Sequence, residues 1–167
     1  MNTINFIKSS IAVSRSMTLG LIMDLKDKPL AQPTVNGGNH ALWILGHLAH
    51  SESSLLNGMI QGKETCTLEH LKEQFAFQTQ PSLDASTYPS IDSLLSDFET
   101  ARTETLAFLE TLTDADLDLP APGCPEEWKE YFGTIGQCFT MISIHPTMHY
   151  GQLADIRKAL GRELMMA

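Results

Sequence analysis

The sequence predicts an all-α fold, a four-helix bundle. Three observations carry the prediction. Four long segments place apolar residues at the three- and four-residue steps of one helical face. No segment shows the period-two alternation of a half-buried strand. Two long connections rich in proline, glycine and acidic residues separate the segments, as bundles with crossover connections require. At 167 residues, the chain is expected to fold as one domain over 1–167. A chain near that size buries roughly 70% of its unfolded surface and needs no disulfide or metal merely to fold.

The first helix is expected from a Thr3 cap to about Lys26, with Ile4, Ile7, Ile11, Ile22 and Leu25 on one face. Phe6, Val13 and Met17 form a second apolar face, suited to a homodimer. Two prolines and two glycines between Lys28 and Gly38 break the helix. Asn39 is placed to cap a second helix reaching about Met59, with Gly58 or Gly62 near its end. Leu68 to Phe77 reads as a short helix, and Gln80 to Pro89 as a loop. Ser90 caps the third helix, whose buried face is Ile91, Leu94, Leu95, Phe98, Leu106, Leu109 and Leu112. The fourth runs from about Tyr131 or Thr134 to Leu160 and stops at Gly161. Its inner stripe is Ile135, Phe139, Ile142, His145, His149, Leu153, Ile156 and Leu160. Pro146 beside that stripe removes a backbone donor and predicts a kink.

Charge and composition exclude several functions. Eleven Lys plus Arg face twenty Asp plus Glu, a net charge of -9. Nonspecific nucleic-acid binding and docking on anionic membranes both need clustered basic residues. The apolar run Ile11 to Leu25 carries Ser14, Arg15, Ser16 and Asp24, whereas a membrane span needs about 20 mostly apolar residues. No signal peptide is expected from MNTINFIKSS. Cys66, Cys124 and Cys138 are odd in number and widely spaced, which suits a reducing cytoplasm.

The six histidines carry the functional signal. His145 and His149 are four apart, one turn above the other on the core-facing stripe. Burying two imidazoles there costs free energy unless each ring nitrogen finds a partner. A shared metal ion supplies both; so do separate hydrogen bonds in a core. His40, His47 and His50 share a face of the second helix with Trp43 and offer further ligands. The metalloprotease pattern HExxH is absent from the sequence, and so is the paired Glu-x-x-His pattern of di-iron bundles.

Two stretches resemble the DinB-like family. One is Asn39-His-Ala-Leu-Trp-Ile-Leu-Gly-His47-Leu-Ala-His-Ser-Glu52. The other, more specific, is His145-Pro-Thr-Met-His149-Tyr-Gly-Gln152-Leu-Ala-Asp-Ile-Arg157-Lys-Ala-Leu-Gly161. The likeness in length, helix count and motif order covers essentially the whole chain, although residues 60–130 carry no signature. It implies an up-down-down-up bundle holding one divalent transition metal through His47, His145 and His149. Zinc, nickel and iron are not distinguished, since imidazole suits them all. His50 and Trp43 are expected to line the pocket or to support a ligand ring from behind. Gln152 is expected to bond a ligand ring or substrate, or to tie helices together.

Three imidazoles leave an ion its full charge and open positions. The resemblance implies two chemistries at such an ion. One is transfer of a low-molecular-weight thiol onto a small electrophile; the other is hydrolysis by metal hydroxide. A third reading is a non-catalytic, metal-stabilised stress-response or binding module. The resemblance also makes a homodimer plausible. Glu52 is expected to be solvated or interhelical, and Asp155 and Arg157 to be ion-paired at the surface. Cys138 reads as packing, and Met141, Met148, Met165 and Met166 as core or interface filler.

Overall fold

The computed structural model describes residues 2–34 and 36–163, so Met165 and Met166 lie outside it. Helices form throughout: α1 (Thr3–Asp24), α2 (Ala41–Ser54), α3 (Lys72–Phe75), α4 (Ile91–Leu109), α5 (Lys129–Phe132) and α6 (Ile135–Ala159). A π turn, Leu55–Ile60, prolongs α2, and short 3-10 turns punctuate both long connections. Among the described residues there is no strand, only an isolated bridge between Pro120 and Thr134.

The caps fall within a residue of their expected places, and the two misses are informative. Asn2, not Thr3, caps α1, its side chain accepting the Asn5 N–H at 2.9 Å. Thr3 instead donates to Asp114, pinning α1 to the second long connection. His40, not Asn39, caps α2: its Nδ1 accepts the Trp43 N–H at 3.2 Å. Asn39 is thereby free to reach Gln152 on α6. Ser90 caps α4 as expected, and of the two expected starts of the last helix Thr134 is the one found, capping α6 in a reciprocal box with Gln137. Gly161 ends α6 in the left-handed region at φ +74°. α6 continues helical through Pro146.

Apolar packing forms two cores. The first takes Leu21, Ile22 and Leu25 of α1, Leu42 to Leu48 of α2, Leu94 and Phe98 of α4, and Leu153 and Ile156 of α6. The second takes Ile4, Ile7 and Ile11 of α1, Leu55 and Ile60 at the end of α2, Leu109 of α4, and Ile135, Phe139 and Ile142 of α6. Hence α1 and α6 run from the second core to the first, and α2 and α4 run from the first to the second. Cross-links agree with this: Thr18 donates to the Pro146 carbonyl, and Arg157 to Asp24.

Between the cores each long helix turns polar at the same level. Ser14 and Thr18, Glu52 and Ser53, Arg102 and Thr105, and Ser143 are all buried there. Arg157 corrects an expectation: it is 6% exposed, because Asp24 receives its guanidinium at 2.9 Å where α1 and α6 end side by side. Glu52 is interhelical, paired with Arg102 at 2.7 Å. Cys138 is buried, as its reading as packing requires, and burial pushes its thiol up to about 12. No helix among the described residues is long and apolar enough to cross a membrane.

Candidate metal centre

α2 and α6 run antiparallel where they meet, which brings His47 opposite His145 and His149. The three rings form a nearly equilateral triangle, with centroids 5.0, 5.2 and 5.0 Å apart. One nitrogen from each lies within 4.8 Å of the others, so the three could hold a single ion. The His145 and His149 Nε2 atoms are 3.2 Å apart. Two nitrogens on a tetrahedral zinc, each at 2.0–2.1 Å, stand about 3.3 Å apart.

The outward nitrogens explain why the inward ones converge. His47 Nδ1–H donates to the Phe75 carbonyl at 2.8 Å. His149 Nδ1–H donates to Gln152 Oε1 at 2.8 Å, and Asn39 donates to the same oxygen at 3.3 Å. A proton fixed on Nδ1 leaves a lone pair on Nε2, which is the arrangement a metal needs. His145 Nε2, 3.2 Å from the lone pair on His149 Nε2, donates to it when no ion is bound, and with its hydrogen on Nδ1 offers a further lone pair to an ion. The donor set therefore fits a divalent transition metal.

Electrostatics agrees. Burial pushes the His47 imidazole down to about 4, against the opposing pull of the Phe75 carbonyl. Burial, with His149 and His47 beside it, pushes His145 down to about 3. His149 is lowered by burial. All three rings are neutral at pH 7, as ligands must be.

Trp43 forms a wall of the site. Its indole stacks on His47, with centroids 4.5 Å apart and planes 11° from parallel. Its Nε1–H donates to the Gln74 carbonyl at 3.1 Å. The segment around α3 thus holds both the wall and, through Phe75, a ligand ring. That segment lacks a motif, so its role is not legible in the sequence. His50 is buried and is not one of the three converging rings; Glu69, Lys72 and His70 act on it, and it acts in turn on His47. His40 is committed to capping, its other nitrogen donating to the Ser82 carbonyl at 2.8 Å.

Fold and site together define a helical protein with a three-histidine candidate metal centre. The chain belongs to the DinB superfamily, whose sequence model matches residues 11–153. No curated protein matches it.

Proposed function

We propose that the chain is a single-domain, up-down-down-up four-helix bundle that binds one divalent transition metal through His47, His145 and His149. The observation that carries this reading is the convergence of three neutral imidazoles, two of them with their outer nitrogens tied to acceptors. The opposed directions of α1 and α6 against α2 and α4 support the topology.

The activity we propose is transfer of a low-molecular-weight thiol to a small electrophile. Bound at this site, a divalent ion supplies a Lewis acid with open positions that lowers the pKa of a thiol or water. Three uncharged rings would leave such an ion its full positive charge, which would favour the thiolate form of a thiol substrate. The chain's own part is to hold the rings: Trp43 stacks on His47, while Phe75 and Gln152 fix His47 and His149. The sulfur bonds to the electrophilic carbon, the leaving group departs with its electron pair, and the thiol proton passes to water.

Metal analysis of tag-free protein by mass spectrometry is expected to give one transition-metal ion per chain, lost in His145→Ala/His149→Ala. Conjugation of a panel of cellular thiols to monochlorobimane is expected to exceed that of His145→Ala. Metal without conjugation, but with metal-dependent ester or amide cleavage, would favour the hydrolase. Metal without either activity would favour the binding module.

We also propose a cytoplasmic location, which the three free cysteines suit, and a homodimer. Phe6, Val13 and Met17 on α1 are exposed, beside Ile144 and Met148 on α6. Light scattering is expected to give twice the chain mass, and Val13→Asp to halve it; a monomeric wild type would sink the dimer.

A further inference from the structure

Glu52 and Arg102 are 5% and 3% exposed, and Arg102 Nη2 donates to Glu52 Oε2 at 2.7 Å. The other carboxylate oxygen, Oε1, is buried with no hydrogen-bond partner among the described residues, and so is the hydroxyl of Thr105, which on α4 lies beside Glu52. An orphaned carboxylate oxygen in a core costs free energy. Glu52 lines a small cavity between α2, α4 and α6, together with His145, Ile142 and Pro146, and with Leu48, Leu55 and Phe98 as apolar walls. The cavity offers about 10 Å³, roughly the room that the centre of one water requires.

Three of the lining residues carry polar groups. Glu52 Oε1 is an acceptor. The Ile142 carbonyl is a second, because Pro146, four residues on, has no N–H to give it. His145 is the third. Its Nε2 is on the metal side, 3.2 Å from His149, and no protein group among the described residues bonds its Nδ1. His47 and His149, by contrast, have theirs taken by Phe75 and Gln152. A buried water commonly makes about three hydrogen bonds, and these three groups match one water in number and polarity.

We propose that Glu52 is the positioning residue for His145, acting through one water held in this cavity. The water accepts the His145 Nδ1–H and donates to Glu52 Oε1 and to the Ile142 carbonyl. Arg102 holds the carboxylate in place. Pro146 has a role here too, since it frees the carbonyl that completes the water's site. The proposal rests on the metal reading above, since its purpose is to aim Nε2 at the ion.

Glu52→Leu combined with Arg102→Met removes the ion pair as a unit and leaves neither charge buried alone. The probe is Zn²⁺ alone, titrated into the full chain against a chromophoric chelator. The double variant is expected to melt near wild type and to bind Zn²⁺ roughly 10- to 100-fold more weakly. A second readout uses NMR of Zn²⁺-loaded wild type with ¹⁵N-labelled histidine. The His145 Nδ1–H is expected to exchange slowly and to show a cross-peak to a long-lived water. This readout decides the matter even where the double variant does not fold. A folded double variant with unchanged Zn²⁺ affinity overturns the proposal, as does a wild-type His145 Nδ1–H without that cross-peak. Wild-type protein that takes up no Zn²⁺ sinks the metal reading and this proposal together. Wild-type affinity retained in the double variant sinks only the role of Glu52.

Discussion

His40 has both ring nitrogens committed, one accepting from Trp43 and the other donating to Ser82. Only the neutral ring with its hydrogen on Nε2 does both. Protonation would turn a hydrogen toward the Trp43 N–H, and burial holds the ring's pKa below its ordinary value. His40→Ala is expected to cost about 1 kcal/mol for the cap alone, and more with the Ser82 bond. His40→Asn, which keeps a capping acceptor, is expected to recover part of that loss in urea denaturation. Equal losses would show that the cap contributes nothing. Gln152 presents the parallel case at the candidate centre. Its oxygen holds the His149 Nδ1–H, and losing an acceptor of this kind typically weakens metal binding 10- to 100-fold. Gln152→Leu is therefore expected to weaken Zn²⁺ binding by about that factor while leaving helicity unchanged in circular dichroism. Undiminished affinity would return Gln152 to a role of tying helices together.

At the scale of elements, α2 meets α3 through a glycine. A Cβ at Gly46 would lie 2.4 to 2.6 Å from the Phe75 ring, and Phe75 is wholly buried. Gly46→Ala must move that ring, and with it the carbonyl that orients His47. Overpacking of this kind costs about 1–3 kcal/mol. The variant is expected to melt lower and to bind Zn²⁺ more weakly, whereas unchanged affinity would mean that the Phe75 carbonyl stays put. This contact also marks the limit of what the sequence discloses. The stripes of α1, α4 and α6 were legible because a repeating apolar face is a local pattern, and Ile4, Ile11, Leu94, Phe98, Phe139 and Ile156 are all buried. The three histidines were legible through motif resemblance, and the i,i+4 pair through spacing as well. Arg102 and Thr105 escaped notice because they are polar residues in a buried stripe, which periodicity of apolar residues passes over. Glu52 was legible as a solvated or interhelical residue, but its partner was not, because Arg102 lies 50 residues away. The same holds for Phe75, which acts through a backbone carbonyl that every residue type carries.

For the molecule as a whole, the buried and half-buried histidines have a consequence for acid stability. His40, His47, His50, His145 and His149 are all held below the ordinary imidazole value, in each case first by burial. In the metal-free protein each ring stays neutral when folded and becomes charged when unfolded once the pH drops below about 6.5. The unfolded state then binds more protons, so stability falls as pH falls. For His47 the loss continues to about 4 and for His145 to about 3. Each such group steepens the fall by about 1.4 kcal/mol per pH unit across its window. Carboxylates with lowered values, such as Asp114 with its bonds from Thr3, lose their contribution only near and below about 3.9. Glu52, raised by burial, works in the opposite direction, but it is one group against five. Urea midpoints of metal-free protein are therefore expected to decline steeply between pH 6.5 and 4.5, and His145→Leu/His149→Leu to decline less. A net stability of about 5–15 kcal/mol, usual for a domain, leaves little at the acid end of that window. A flat profile would mean that the rings are charged in the folded protein, which would remove the neutral donor set on which metal binding depends.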